Sequence, residues 1–240
     1  MARILNIETS THVCSVSLSQ DGMLVDTKES SEDKSHSRLL TLFIQDILDS
    51  HKLEVSSLDA IAVSKGPGSY TGLRIGVSTA KGLAYGAGIK LIGINSLQAL
   101  SQAVIRDYSG QLTPVGADII LLCPMIDARR MEVYMALYNI ANQPVKETDA
   151  VIITPDTFAS YTDKYKLWLF GTGAAKCREI IDHPNIIFLD DIESSANSMV
   201  ELSEMAFNGQ QFEDVAYFEP FYLKDFIATI PKNKVIRKNN

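Results

Sequence analysis

The spacing of apolar residues divides the first part of the chain into strands and helices. The segment 3–9, with Ile4, Leu5 and Ile7, predicts a strand, and Cys14, Val16 and Leu18 alternate with serines as in a half-buried strand. Asp21-Gly22 is a typical hairpin turn and leads into a third strand at 23–28. The pattern then predicts, in order, a helix at 36–50, a strand at 60–63, a helix from Ser69 or Thr71 to about Tyr85, a strand at 90–94 and a helix from about Ser96.

The same order of elements begins again in the second part of the chain. The segment 118–127 is an apolar strand that ends in an acidic residue, as the first strand does at Glu8. The further predicted elements are strands at 131–140, 146–153, 167–170 and 186–189, and helices at 155–161, from Gly173 to about Ile181 and at 195–207. Two copies of a β-β-β-α-β-α-β-α unit predict an α/β fold with two lobes, each a mixed β-sheet flanked by helices.

The division between the lobes is predicted from a break in this pattern. Gly, Pro and polar residues are concentrated at 108–116, which is typical of a connection between domains. We therefore expect an N-terminal lobe at 1–107 and a C-terminal lobe at 108–214. The remainder, 215–240, is predicted to be a return segment that crosses the first lobe, followed by a basic tail.

Composition restricts the functional class. A net charge of −7 and a pI of about 5.1 give the chain no overall electrostatic footprint for nucleic acid. The basic residues near its end predict a solvated tail, with RNA contact as the less favoured alternative: Lys232, Lys234, Arg237 and Lys238. Three widely spaced cysteines, and the lack of a signal peptide or a membrane-spanning apolar run, lead us to expect a cytoplasmic protein.

The stretch 64–88 combines a glycine-rich turn with a glycine-rich helix. Each glycine inside a helix costs about 0.8–1 kcal/mol relative to alanine, so its presence needs a reason. Gly72, Gly76 and Ala80 are four residues apart and form a smooth stripe, against which another backbone is predicted to pack closely. A phosphate cradle is an alternative, although the P-loop pattern is absent. A tight strand-to-helix turn with close packing is another.

The predicted helix at 36–50 has apolar residues over about 240° of its circumference, where one core-facing side needs little more than about 100°. Either this helix is buried on two sides within its own lobe, or a partner protein covers part of it. Together with the glycine stripe, this pattern favours a protein–protein surface. The predicted interface residues are Leu39, Leu40, Phe43 and Ile47 on the first helix, and Gly72, Arg74, Gly76 and Ala80 on the second.

Five motifs carry a resemblance to a known family. They read ILNIETS, SKGPGSYTGLRIGVSTAKGLA, GINSLQAL, IDARRMEVY and PFYLK. Together they resemble the TsaB family, within the duplicated ribonuclease H-like superfold of actin, sugar kinases and Hsp70. The resemblance covers nearly the whole chain. It implies a dimerisation subunit of the bacterial machinery that forms threonylcarbamoyladenosine on tRNA.

The resemblance also implies partners. They are the homologous catalytic subunit TsaD and the ATP-hydrolysing subunit TsaE, with a homodimer when the chain is isolated and tRNA contacted mainly through the complex. No cofactor, metal or catalytic residue of its own is expected. The catalytic relatives carry an H-x-x-x-H metal-binding pair, whereas Ser96 and Leu100 stand at the matching positions here.

Candidate nucleotide-binding residues are incomplete. Glu8 ends the first strand but is followed by Thr9-Ser10-Thr11, without a glycine. Asp127 is likewise followed by Ala128-Arg129-Arg130, so a strand-end acid bonded to local backbone N–H groups is an alternative. Gly171 and Gly173 resemble an adenosine-contacting motif, but a strand-to-helix turn has the same sequence. The remaining functional alternatives are an ATP-dependent enzyme of the sugar-kinase kind and a metallopeptidase-like protein.

Overall fold

The computed structural model describes residues 2–32, 36–112 and 119–224. The first lobe is built on a five-stranded sheet with the order β3-β2-β1-β4-β5. Its strands are β1 (Arg3–Glu8), β2 (Cys14–Gln20), β3 (Met23–Ser30), β4 (Ala60–Gly66) and β5 (Lys90–Asn95). Its helices are α1 (His36–Ser50), α2 (Tyr70–Ala87) and α3 (Ser96–Asp107). β1 pairs antiparallel with β2 and parallel with β4, so the sheet is mixed as predicted.

The second sheet repeats the topology of the first. Its strands are β6 (Ile119–Asp127), β7 (Glu132–Tyr138), β8 (Pro144–Ile152), β9 (Tyr165–Phe170) and β10 (Ile186–Phe188). The order β8-β7-β6-β9-β10 places its third, second, first, fourth and fifth strands side by side, as in the first sheet. β6 is antiparallel to β7 and parallel to β9. This identity of order confirms the predicted duplicated ribonuclease H-like fold.

Several elements differ from the sequence-based expectation. β2 is buried on both faces rather than half-buried, because α1 covers one side and the turn at Ala196–Met199 packs against the strand as well. The helix predicted after Gly173 is only a 3₁₀ turn at Ala175–Cys177, held mainly by hydrogen bonds between residues three apart. The helix predicted at 155–161 is the short α4 (Ala159–Thr162).

The last helix belongs by packing to the first sheet. The segment predicted as one helix at 195–207 forms the Ala196–Met199 turn and then α5 (Val200–Asn208). Leu202 and Ala206 of α5 share a core cluster with Ile4 and Ile92 of the first sheet. The sequence-based division placed these residues in the C-terminal lobe. In the structure, the apolar side of α5 covers β1 and β5.

The segment at 213–221 contacts the first lobe at several points. The Glu213 N–H donates to the Leu91 carbonyl at 2.8 Å, and the Phe221 N–H donates to the Lys65 carbonyl at 2.6 Å. Phe218 is buried in the first-lobe core between these two points. The predicted basic tail at 225–240 lies outside the described residues. Across the ranges that are described, no helix is both long and apolar enough to cross a bilayer.

Candidate functional site

The glycine stripe of α2 packs against the end of β1 in the same chain. A Cβ atom at Gly72 would collide with the Thr9 carbonyl oxygen, and one at Gly76 with the Thr9 hydroxyl. Thr9 Oγ1 donates to the Gly72 carbonyl at 2.9 Å, which fixes this close approach. The prediction that another backbone packs on the stripe is confirmed. The partner is Thr9, however, so the assignment of Gly72, Gly76 and the fully buried Ala80 to a protein–protein interface is wrong.

The glycine-rich turn before α2 packs against the loop that follows β1. The Ser69 N–H donates to the Ser10 carbonyl at 2.6 Å, while the Ser69 side chain accepts from the Gly72 N–H and caps α2. A Cβ atom at Gly68 would collide with the Ser10 carbonyl oxygen. The turn therefore packs against the loop at 9–11 and does not form an open phosphate-binding site.

Glu8 is completely buried at the end of β1. Its Oε1 accepts a hydrogen bond from the Ser10 N–H at 2.6 Å, and Oε2 has no partner in the described part of the chain. Loss of solvation raises the pKa of this carboxyl above its usual value of 4.5, and hydrogen bonds to Ser10, Ser64 and Thr9 oppose the shift. A carboxyl of this kind is suited to a neutral structural role.

Asp127 is engaged by its own loop. Its Oδ1 accepts from the Arg129 N–H at 2.8 Å and also binds the ammonium group of Lys176. The backbone bond confirms the reading of Asp127 as a strand-end acid. Lys176 was not recognised from the sequence, because a separation of 49 residues from Asp127 leaves no local pattern.

Gly171 and Gly173 allow close packing between strands and helices. Gly171 has a φ of 92°, and a Cβ atom there would approach the Leu100 side chain to 2.6 Å. Gly173 lies against Ile126 and Val133, and its N–H donates to the Met125 carbonyl at 3.0 Å. Both glycines are thus explained by contacts within the chain.

These residues do not fit a nucleotide. The ends of β1 and β6, where the candidate nucleotide-binding acids Glu8 and Asp127 lie, are filled by the chain itself: Thr9 and Ser10 lie against α2 and the turn before it, and Lys176 binds Asp127. The buried Glu8 has no open path to a bound ion. Within 2–32, 36–112 and 119–224, no three His, Cys, Asp or Glu residues come together as a metal site would require. Burial raises the pKa of the Cys14 thiol to about 11, so this thiol is a core residue.

An open groove runs between α1 and α2. It has a volume of about 420 Å³, and most of the surface that lines it is apolar. The lining residues are Ile44, Leu48, Leu53, Val55 and Leu83, together with the polar Thr41, Gln45, Asp49, Glu54 and Thr79. On the outer side of α2, a Cβ atom added at Gly82 or Gly86 would meet no other atom within 4 Å, so space is open beside both residues. We call this groove, together with Gly82 and Gly86, the α1–α2 face.

The predicted interface residues of α1 do not lie on this face. Leu40 and Ile47 are 1% and 0% exposed and belong to the first-lobe core, so their assignment to an interface is wrong. Leu39 and Phe43 are partly buried against the same core, and neither lines the groove. Most of the wide apolar side of α1 is buried within the lobe, where the helix contacts β2, β3 and α2.

Arg74 is exposed and lies in an aromatic cluster. Its guanidinium carbon lies 4.4 Å from the centre of the Tyr70 ring, and its Nε donates to the Tyr222 hydroxyl at 3.4 Å. The rings of Tyr70 and Tyr222 are 5.0 Å apart, and the bond to Tyr222 raises the pKa of Arg74. Sequence reasoning proposed Arg74 for the interface but missed Tyr222, which is 148 residues away.

Comparison with known proteins agrees with this architecture. A family model described as "TsaD: tRNA N6-adenosine threonylcarbamoyltransferase" matches residues 27–232. The tRNA threonylcarbamoyladenosine biosynthesis protein TsaB of Escherichia coli K12 is 30% identical over 232 residues, which cover 94% of this chain and 96% of that protein. The chain belongs to the TsaB family. The Bacillus subtilis protein of the same description is 30% identical over 227 residues, covering 92% of this chain and 93% of that protein.

A solved structure confirms the fold of this TsaB-family chain. A Pseudomonas aeruginosa protein, described as similar to the peptidase YEAZ, superposes with a TM-score of 0.77 at 24% identity, covering 93% of this chain and 100% of that one. At the positions of the expected histidine pair, the TsaB-family chain has Ser96, which is buried, and Leu100, which packs with Leu122 and Phe170 in a core cluster.

Proposed function

We propose that this TsaB-family chain is a non-catalytic subunit in the formation of N6-threonylcarbamoyladenosine next to the anticodon of tRNA. In this role it docks onto the homologous catalytic subunit TsaD through the α1–α2 face. The observation that carries the proposal is the pairing of a closed strand-end region with an open, largely apolar groove. In this chain the strand ends that would hold a nucleotide are occupied by the chain's own residues, whereas the groove between α1 and α2 stays uncovered.

The composition of the α1–α2 face supports docking of another helix pair. Gly82 costs α2 about 0.8–1 kcal/mol, and nothing in the described chain packs on it. Outward-facing glycines let a second backbone approach closely, and helices packed on each other lie about 8–10 Å apart. Leu48 and Leu83 supply apolar surface beside them. A face of this kind is suited to receive helices from a related lobe.

The homology between the two subunits supports the choice of partner. A family model described for TsaD matches 27–232 of this chain, so the partner carries a comparable lobe with comparable helices. Two related lobes can meet about a pseudo-twofold axis, each presenting the same helix pair to the other. In the absence of TsaD, a second copy of this chain would occupy the same face. TsaE then joins as a third, ATP-hydrolysing component.

Co-purification with TsaD tests the proposal. Gly82→Leu adds bulk to the α1–α2 face without meeting any atom of its own chain, and Thr41→Asp adds a charge to the exposed rim of the groove. We expect both variants to fold normally and to lose at least about tenfold in affinity for TsaD, since tenfold corresponds to only about 1.4 kcal/mol.

The controls make equivalent changes elsewhere. Gly110→Leu alters another glycine with open space around it, and Ile152→Asp places a charge on a side chain that is 68% exposed. Both should bind TsaD as the unaltered chain does. Retention of TsaD by Gly82→Leu and Thr41→Asp would refute docking through this face. Depletion of the protein, followed by nucleoside analysis of total tRNA, tests the pathway itself.

A further inference from the structure

The hairpin between β6 and β7 holds two consecutive arginines in a left-handed backbone conformation. Arg129 has a φ of 71° and Arg130 a φ of 51°, and both are exposed. This conformation costs an ordinary L-residue roughly 1–2 kcal/mol, because Cβ crowds the backbone carbonyl oxygen. Strain of this size persists when the surrounding structure enforces it, and such strain clusters at functional sites. Arg129 and Arg130 are not part of the α1–α2 face, so docking through that face does not involve them.

Several hydrogen bonds hold the backbone of the loop that carries the two arginines. The Lys176 ammonium group lies beneath it and donates to the carbonyls of Arg130 at 2.8 Å and Glu132 at 2.6 Å. The same group binds Asp127, whose Oδ1 accepts from the Arg129 N–H at 2.8 Å. The Glu132 N–H donates to the Arg129 carbonyl at 3.2 Å. These bonds hold the backbone of the tip in place and use neither arginine side chain.

The guanidinium groups of this tip differ from the neighbouring cations of the second lobe. Lys176 pairs with Asp127, Arg178 with Asp190, and Lys224 with Glu132. Neither Arg129 nor Arg130 has an ion pair or side-chain hydrogen bond with any residue that the structure describes. Two guanidinium groups on adjacent residues, without a charged partner among the described residues, are suited to bind phosphate, because each planar guanidinium can donate two N–H bonds to a pair of phosphate oxygens.

Aromatic rings and further cations continue from this tip across to α2. Lys224 binds Glu132 at the base of the tip and lies 5.8 Å from the centre of the Tyr134 ring. Tyr222 lies two residues before Lys224, a distance of at most about 7 Å along the chain, and it contacts Arg74. We call Arg74, Tyr222, Lys224, Tyr134, Arg129 and Arg130 the basic–aromatic strip.

We propose that the basic–aromatic strip binds the single-stranded loop of a tRNA, with Arg129 and Arg130 on its phosphates and the partly exposed Tyr222 ring available to a base. Alternation of cations with aromatic rings is the pattern by which proteins hold single-stranded nucleic acid, since every base has a face that stacks. An acidic protein surface would use the cations but not the rings. The inference rests on the proposed function, because it names how the substrate of that complex is held.

The test measures RNA binding as a function of salt. The probe is an RNA hairpin carrying a tRNA anticodon loop, titrated with the full chain, alone and together with TsaD, by fluorescence anisotropy. Replacing both arginines, Arg129→Ala with Arg130→Ala, should weaken binding roughly tenfold and reduce the slope of log K against log salt by about 1.4, since each single-strand phosphate contact contributes about 0.7.

Three further variants separate phosphate binding from structural effects. Arg129→Gly with Arg130→Gly keeps the left-handed backbone without steric cost, so it should melt at the same or a higher temperature and bind RNA as weakly as the alanine pair. Arg129→Lys with Arg130→Lys keeps the charge and should retain most of the salt slope. Lys164→Ala with Lys166→Ala removes the same charge at the start of β9, the opposite end of the sheet from Asp127, and should bind normally.

The outcomes are distinct. Equal binding by the unaltered chain and the alanine pair, an equal loss in the Lys164 and Lys166 control, or no measurable RNA binding by either the chain or its complex would overturn the inference. So would a loss of TsaD binding with RNA affinity unchanged, because the arginines would then be a protein contact. Failure of the unaltered chain to bind TsaD would count against the proposed function alone, since RNA affinity of the isolated chain is measured separately.

Discussion

Glycine has two opposite roles along a single helix, α2. In the first turns of α2, Gly72 and Gly76 are required because Thr9 occupies the space that a side chain would need. In its later turns, Gly82 and Gly86 meet no other residue, so they lower helix stability without a compensating contact in the described chain. The same residue type therefore allows close packing near one end of the helix and leaves open space near the other.

Alanine substitutions at these two kinds of glycine should change the free energy of unfolding in opposite directions. Gly82→Ala should raise the free energy of unfolding by about 0.8–1 kcal/mol, since it improves helix propensity and meets nothing. Gly76→Ala should lower it by about 1–3 kcal/mol, because the new methyl group displaces Thr9. Urea unfolding measures both values, at chain concentrations low enough that no second copy occupies the α1–α2 face. A change of the same sign in the two variants would contradict this account of α2.

The buried Glu8 should make stability depend on pH. Its pKa is raised in the folded state by lost solvation, so the folded chain binds this proton more tightly than the unfolded chain does. Its contribution is therefore fully favourable below the usual value of 4.5 and declines as pH rises from there towards the folded-state pKa. Glu8→Gln, which stays neutral, should gain stability relative to the unaltered chain over that range. A difference between the two that does not change with pH would contradict the expectation.

At the scale of elements, the return segment acts as a strap over the first lobe. Lys81 of α2 donates to the carbonyls of Ala216 at 3.1 Å and Phe218 at 2.8 Å. The Phe218 side chain is 8% exposed and packs in the first-lobe core, whereas its neighbour Tyr217 is 84% exposed. The segment is thus held at its middle by one buried ring and by one lysine from α2.

Two adjacent substitutions should distinguish the anchoring ring from its neighbour. Phe218→Ala should destabilise the first lobe by about 3 kcal/mol, because a buried aromatic ring is lost and a cavity remains. Tyr217→Ala should change stability by no more than about 0.5 kcal/mol, as is usual at an exposed site. Limited proteolysis should also cleave the return segment faster in Phe218→Ala alone. Equal destabilisation by both would show that the segment is not anchored at Phe218.

How far the sequence predicts these elements depends on the range of the interactions involved. The strands of both sheets, α1, α2 and α3 follow from periodicity and local capping, as Ser69 and Asn95 cap the helices after them. The helix expected after Gly173 is only a 3₁₀ turn, and the packing of Gly171 and Gly173 on Met125 and Ile126 just before it is not visible in the local pattern. The partner of the α2 stripe was missed for the same reason: Thr9 lies 63 residues from Gly72. The sequence therefore predicts that a segment packs closely or ends a strand. It does not predict which residue lies against that segment, because the partner is distant in sequence.

At the scale of the molecule, the two lobes are joined by polar and apolar contacts of α3. Leu97 and Val104 share a core cluster with Leu122 of the second sheet. The Asn142 side chain, in the turn between β7 and β8, donates to the Gln98 carbonyl at 3.2 Å and to Gln102 at 2.8 Å. α3 therefore contacts the sheets of both lobes and links them. A link of this kind suits a subunit that positions one partner and one substrate at the same time.

The two proposed surfaces should differ in how their binding affinities depend on salt. The α1–α2 face is largely apolar, and burial of apolar surface is not weakened by ionic screening. The basic–aromatic strip acts through Arg129 and Arg130, whose phosphate contacts release counterions and should contribute a slope of about −1.4 in log K against log salt. Titrations of TsaD and of the RNA hairpin over the same salt series, with the same preparation of the chain, compare the two directly. If TsaD affinity fell as steeply as RNA affinity, charge rather than apolar contact would dominate docking, and the assignment of separate tasks to the two surfaces would fail.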